Sequence, residues 1–216
     1  MIKLLGIITL VFLHMACSAQ NNYGFFAGAQ RTTAHYSIAD EKQKTSEKYG
    51  AHAGFLIKIP FEKQLYFAPA LYYTQKGFSV NLTKPSFPPG EDAISNDIRV
   101  HAIEVAPLFQ FDLSPNPSHF FIRLGPALDF IFSGTEKIGL KNGSIEEKNM
   151  KFSFGDYGRI TSSANIQVGY ETASGYQLWG FYNHGLGSMN NADEGPKIRH
   201  RLFGISLGKY FATSKN

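Results

Sequence analysis

The feature that most constrains this chain is a series of long segments in which apolar and polar residues alternate. Alternation with a period of two is typical of a β-strand with two different faces. The segments run to roughly 12–16 residues, whereas strands of soluble proteins usually have about five or six. The sequence predicts eight of them, at residues 23–34, 49–60, 64–77, 97–112, 119–133, 157–171, 176–188 and 197–212.

The connections between these segments alternate in length. The short ones are 61–63, 113–118 and 172–175, and the long ones are 35–48, 78–96, 134–156 and 189–196. Such an alternation is typical of membrane barrels, which have short periplasmic turns and long extracellular loops. We therefore predict an all-β fold, an eight-stranded antiparallel up-and-down transmembrane β-barrel with both termini on the short-turn side.

The two faces of the segments differ in polarity. In the fifth segment, Leu124 and Leu128 lie on one face, and Arg123 and Asp129 lie on the other. A membrane barrel turns its apolar face to lipid, whereas a soluble lipocalin-like barrel encloses an apolar lumen for a ligand. The strand lengths, and aromatic residues where strands meet turns, favour the membrane barrel. The soluble ligand-binding barrel is the alternative.

The N-terminus has the pattern of an export signal. Lys3 precedes an apolar run at residues 4–13, which is too short to span a bilayer, and small residues follow it. We predict a signal peptide at residues 1–19, a barrel domain at 20–216 and location in the outer membrane. Cys17, the only cysteine, is either lipidated or removed with the signal peptide.

Charge restricts the partners. The formal net charge is +4, and no basic run is interleaved with aromatic residues, so we expect no nucleic-acid partner. The expected partners are the lipid bilayer and lipopolysaccharide, together with other envelope proteins that contact the long loops at 78–96 and 134–156.

Five charged residues fall on the predicted lumenal face. An eight-stranded barrel has an interior just wide enough for side chains, and buried charges require partners. We therefore predict a salt-bridge network that closes the lumen; the alternative is a path for protons or ions. The residues are Glu104, Arg123, Asp129, Arg159 and Glu171.

Three prolines occur in successive strands. Pro69, Pro107 and Pro126 all lie on the apolar face, although proline cannot donate a ladder hydrogen bond and a closed barrel has no edge strand. We predict one band of bulges or stretched pairing that sets local curvature. A second interpretation is a docking band for a partner protein.

The sequence shows no pattern of catalytic, cofactor-binding or metal-binding residues. No two histidines have a spacing typical of metal ligands, and His119 stands alone beside a predicted turn. His184 with Ser188, or His101 with Asp97, imitates the rim site of an outer-membrane hydrolase, but neither pair completes a triad. We expect no enzyme activity and no cofactor.

Six segments in order resemble strands of the PorT-like outer-membrane β-barrel family. LYFAPALYYTQKG (65–77) resembles its L-x-P-E-L-L-Y-x-x-K-G segment, with Ala70 in place of the Glu. The others are HAIEVAPLFQF (101–111), IRLGPALDF (122–130), ANIQVGYE (164–171), YNHGLGS (182–188) and RLFGISLGKYF (201–211).

This resemblance implies an outer-membrane barrel, and one member of the family is linked to type IX protein secretion. We therefore expect a non-catalytic structural or interaction protein that serves as an accessory of protein secretion. A small channel or transporter is the alternative within the membrane.

Overall fold

A computed structural model describes residues 21–212 of the chain. The predicted signal peptide and Cys17 lie outside the described residues. Within 21–212, no helix is long and apolar enough to cross a membrane. The strands are β1 (Asn22–Ile38), β2 (Glu41–Lys42), β3 (Lys44–Glu62), β4 (Leu65–Asn81), β5 (Ala93–Asp112), β6 (His119–Leu140), β7 (Ile145–Asn149), β8 (Ile160–Glu171), β9 (Tyr176–Gly185) and β10 (Lys197–Ala212).

Eight of these strands form a closed antiparallel ring. Each long strand pairs with its neighbours in chain order, and β1 pairs with β10 from Asn22↔Ala212 to Ser37↔Lys197. The short strands β2 and β7 extend the hairpins of β1 and β6. The predicted eight-stranded up-and-down barrel is confirmed, and closure leaves no edge strand in the ring.

The outward face is apolar around the half of the barrel that carries the short turns. Exposed side chains there include Phe55, Leu71, Phe109, Leu124 and Val168. The inward face of the same half is largely polar, and its side chains are buried. This arrangement is typical of a membrane barrel and opposite to that of a lipocalin, whose lumen is apolar.

The half that carries the long connections is more regular than predicted. Residues 35–48 form a continued hairpin with a tight turn at Ala39 and Asp40, both of which have positive φ. Strand β6 continues to Leu140 and pairs with β7. The sequence misses these extensions because their buried apolar residues, such as Phe78 and Val80, lie on the inward face, not on the outward face as in the other half.

The three prolines lie side by side, and two of them interrupt one ladder without shifting its register. Pro69 lies opposite Pro107, and the register of β5 and β6 continued on either side places Pro107 opposite Pro126. No ladder pair forms between Val105 and Phe109 on that seam, since neither facing proline has an N–H to donate. The predicted stretched pairing is therefore found between β5 and β6 only, on the outward face and with no bulge. The ladders on the other two seams continue through Pro69↔Pro107 and Pro126↔Ala164.

Candidate functional site

An ion triad lies in the middle of the barrel. The Lys76 Nζ is 2.8 Å from Glu104 Oε2 and 2.6 Å from Asp129 Oδ1. Glu104 and Asp129 face each other across β5 and β6, and Lys76 reaches them from β4. All three side chains are buried. Two carboxylates thus share one ammonium group in a place that bulk water does not reach.

Neutral polar groups complete the hydrogen bonding of this triad. The Tyr72 hydroxyl donates to Glu104, and Asn183 Nδ2 donates to the same carboxylate from the opposite wall at 3.2 Å. The Thr161 hydroxyl donates to Asp129 at 3.0 Å. Buried carboxylates need such donors because they have lost their hydration.

Below the triad, Arg123 lies in a cage of amides and aromatic rings. Its guanidinium donates to Gln110 at 2.5 Å and to Gln177 at 2.8 Å. The ring centroids of Phe121 and Trp179 lie 4.2 and 5.0 Å from its central carbon, which adds cation–π attraction. No carboxylate within residues 21–212 forms an ion pair with it; Gln110 and Gln177 instead link it to Asp112 and Glu171.

Aromatic side chains fill the remaining cross-section. Phe26 contacts Tyr72 and Trp179 with ring centroids 5.3 and 5.4 Å away. His52 packs edge-on against Phe181 at 5.1 Å and hydrogen-bonds Ser206 at 2.7 Å. These contacts join strands on opposite sides of the ring, so the described lumen is packed with side chains.

At the short-turn mouth, a cavity of about 660 Å³ opens beside a second charged cluster. The Lys58 Nζ is 2.7 Å from Asp112 Oδ2 and 3.0 Å from Glu171 Oε2. His119 Nε2 lies 3.0 Å from that Asp112 oxygen. The cluster joins the ends of three strands to the last part of β3.

At the opposite end, a polar group is enclosed in the apolar core. The Tyr157 hydroxyl donates to Glu136 at 2.9 Å, and Asn96 donates to the same carboxylate at 3.0 Å. Burial raises the pKa of Tyr157 well above its ordinary value, and it raises the pKa of Tyr36 to about 12. Both phenols therefore remain neutral donors over the physiological pH range.

A comparison with protein families gives a match to the outer membrane protein beta-barrel domain over residues 18–192. This chain belongs to that family. It is an outer-membrane protein, and its short turns therefore face the periplasm.

Among solved structures, this outer-membrane barrel is similar to three proteins at low identity. OprG of Pseudomonas aeruginosa is 9% identical with a TM-score of 0.47, covering 90% of this chain and 98% of that one. Ail, the attachment invasion locus protein of Yersinia pestis, is 9% identical with a TM-score of 0.46, covering 89% and 99%. Neisserial surface protein A is 15% identical with a TM-score of 0.42, covering 87% and 97%. A comparison with curated protein sequences finds no match.

In this outer-membrane barrel, the acidic residues of the predicted lumenal network belong to two separate clusters. Glu104 and Asp129 belong to the central triad, whereas Glu171 belongs to the periplasmic cluster. Arg123 lies between the two and reaches only the second, through amides. The lumen therefore holds two ion clusters and one caged arginine.

Arg159 requires a correction. The prediction that it lies on the lumenal face is wrong. Arg159 is exposed just before β8 begins at Ile160, and its guanidinium lies over the Phe152 ring at 4.9 Å. The alternation of β8 does not extend back to it, because residues 157–159 are not part of the strand.

Three charged residues of the clusters are absent from the predicted set. They are Lys58, Lys76 and Asp112. A signal for them exists, because each lies on the same face of its strand as other buried residues. Lys58 is in phase with Leu56, Lys76 with Tyr72, and Asp112 with Glu104 and Gln110. His101 and His184 are engaged otherwise, each at hydrogen-bonding distance from a tyrosine hydroxyl, at 2.6 and 3.1 Å.

Proposed function

We propose that this protein is a non-conducting, non-catalytic barrel that works through contacts with other envelope components. The observation that carries this proposal is the packed lumen. Asn183 reaches Glu104 across the ring, Lys58 reaches Glu171, and aromatic side chains lie between these two levels. A solute could pass only if several of these buried contacts broke together.

The extracellular end carries the surface that this function would use. Phe154 is 96% exposed and Ile145 is 76% exposed, and Phe87 is also exposed on the connection between β4 and β5. Exposed apolar side chains on connecting segments of a rigid scaffold are typical of binding surfaces. The resemblance to PorT-like barrels favours a protein-secretion assembly as the partner.

The outer wall also supports the proposed contact with lipopolysaccharide. Arg199 and Arg201 are exposed on β10 immediately above the lipid-facing residues, and His35 and Thr33 lie beside them on β1. Neither arginine forms an ion pair with a carboxylate within residues 21–212. Guanidinium groups bind phosphate in two-pronged geometry, and lipopolysaccharide carries phosphates at this level.

A planar bilayer tests the closed lumen. We expect no steady conductance from the wild-type barrel. The double variant Arg123→Gly/Trp179→Gly removes two large lumenal side chains and should conduct, which shows that the assay detects an open barrel. Steady wild-type conductance would overturn the non-conducting assignment and favour a small channel.

Cross-linking in the native outer membrane tests the contacts. Recovery of other envelope proteins in stoichiometric amounts is expected from the wild type and not from the variant Phe154→Ser/Ile145→Ser. Leu113→Ser, which changes an exposed apolar residue at the periplasmic end, is the matched control and should retain them. Recovery of the barrel alone from every sample would contradict an interaction role.

A further inference from the structure

The periplasmic cluster contains a set of ligand atoms that the sequence does not reveal. Asp112 ends β5, His119 begins β6 and Glu171 ends β8. One ligand atom from each lies within 4.8 Å of the others, and all three residues are buried. Carboxylate oxygen and imidazole nitrogen are the donors that zinc and similar divalent ions take in proteins.

The imidazole of His119 is oriented to bind such an ion. Its Nδ1 lies 2.8 Å from the backbone carbonyl oxygen of Asn116. A carbonyl oxygen only accepts, so Nδ1 carries a proton, and in this tautomer Nε2 presents its lone pair. A backbone carbonyl that holds Nδ1–H is the usual outer-sphere partner of a metal-bound histidine.

The other nitrogen has no hydrogen bond within the protein. His119 is 8% exposed, and its Nε2 is buried without a partner. Asp112 Oδ2 lies 3.0 Å away and Glu171 Oε2 3.7 Å away, but a proton on Nε2 would not be aligned with either oxygen. Three acceptor atoms thus face one another. The Lys58 ammonium serves the two carboxylates, and Nε2 is left without a donor.

The separations suit a small divalent ion. Ligand atoms placed about 2.0–2.2 Å from a tetrahedral ion lie roughly 3.3–3.6 Å from one another. The two distances from Nε2 bracket that value. The two carboxylate oxygens lie within 4.8 Å of each other, and they would close on the ion once the Lys58 ammonium no longer bridges them.

Lys58 is the competitor for this site. Its ammonium bridges the two carboxylates at 2.7 and 3.0 Å, and it also lies 4.3 Å from the centroid of the Tyr66 ring. Two carboxylates and one ammonium leave a charge of −1 beside the His119 imidazole, so the cluster attracts a further cation. A metal ion would displace Lys58 from the carboxylates toward the adjacent cavity.

We propose that Asp112, His119 and Glu171 bind a divalent transition-metal ion such as Zn²⁺ at the periplasmic mouth, in competition with Lys58. The cavity of about 660 Å³ beside these residues, bounded by the turns at 114–117 and 172–175, gives the ion access from the periplasm. It leaves the fourth coordination position open to water or to a periplasmic ligand. This inference is independent of the proposed function.

Titration of the untagged, refolded full-length barrel with Zn²⁺ alone tests the site. Calorimetry should show one ion per chain, and Co²⁺ alone should give the visible absorption of a four-coordinate site. His119→Gln should weaken binding by about 100-fold or more, because it removes a ligand. His101→Gln, a histidine on the outer wall, is the matched control and should bind as the wild type does.

Substitution of Lys58, the competitor, should raise the affinity for Zn²⁺, and a folding defect would not produce such a gain. Lys58→Met should bind Zn²⁺ about tenfold more tightly or better, since the carboxylates lose their internal cation. Heat-modifiable gel migration verifies that each variant is folded. Absence of binding at millimolar Zn²⁺ would overturn the proposal, as would binding that His119→Gln leaves unchanged or that Lys58→Met weakens.

Discussion

Strand β10 crosses two environments, and the polarity of its two faces inverts between them. We call the half that carries the short turns the membrane half, and the half that carries the long connections the extracellular half. In the membrane half, Ile205 and Leu207 point outward and are 64% and 66% exposed, while Ser206 is buried in the lumen. In the extracellular half, Ile198 is buried in the interior and Arg199 points outward. The backbone is the same continuous strand with side chains alternating at the same period.

The inward face of strand β4 shows the same inversion. Thr74 and Lys76 point into the lumen at the level of the membrane, and Phe78 and Val80 point into the interior above it. Lipid accepts apolar side chains on the outside, so the lumen is left to polar groups that pair with one another. Above the membrane, water surrounds the wall, and the interior becomes an ordinary apolar core.

The two interiors therefore depend on different forces. The extracellular interior is stabilised by apolar burial, which is non-directional and tolerates small changes. The lumen depends on a few charged groups, each of which must keep its partners. A lost partner should destabilise the lumen more than a lost methyl group destabilises the extracellular core.

The largest effect is expected from Lys76→Met. This change leaves Glu104 and Asp129 buried without a cation, at a cost of about 3–5 kcal/mol in the free energy of unfolding. Urea titration in lipid vesicles, followed by the fluorescence of Trp179, the only tryptophan, measures it. Lys197→Met, an exposed lysine on β10, is the control.

A compensated variant separates charge from packing. Lys76→Met combined with Glu104→Gln and Asp129→Asn removes all three charges while nearly keeping the side-chain volumes. It should recover most of the lost stability, since replacing a whole buried ion cluster is often close to neutral. If the triple variant is as unstable as Lys76→Met, pairing in the lumen is not what holds this half together.

The next largest effect on the free energy of unfolding is expected from a charge placed on the outer wall, and it should differ between the two halves. Ile205→Arg places a guanidinium against lipid and should destabilise the barrel by about 2–4 kcal/mol. In the extracellular half, the outward position 199 already holds arginine, and Arg199→Ala should change the free energy of unfolding by about 0.5 kcal/mol or less. The same urea titration in vesicles measures both variants, and equal costs would place position 205 outside the hydrocarbon.

The sequence predicts the membrane half better than the extracellular half, for a physical reason. In the membrane half, the apolar outward face gives long regular alternation, and the predicted strands there agree with the structure. In the extracellular half, apolar residues move to the inward face and polar residues cover the outside, so the alternation changes phase. Residues 35–48 therefore read as a polar loop, although β1, β2 and β3 occupy most of them.

Part of the site follows from alternation, and part requires the closed ring. Glu104 and Asp129 could be placed in the lumen because each lies on the polar face of a long strand, and Lys76 follows the same rule. Asp112, His119 and Glu171 cannot be grouped from spacing, because they lie at the ends of three strands. The register that pairs His119 with Glu171, and the turn between β5 and β6, bring them together.

The smallest predicted effect compares one methyl group on the two faces of β10. Ile198→Val opens a small void in the extracellular core and should cost about 0.5–1.5 kcal/mol in the free energy of unfolding. Ile205→Val should cost less than about 0.5 kcal/mol, because mobile lipid chains fill the space that a fixed core cannot. Urea titration in vesicles, with the wild type in every series, resolves the two. Equal costs would mean that lipid packs against position 205 as tightly as protein does against position 198, and the contrast between the halves would then rest on charge alone.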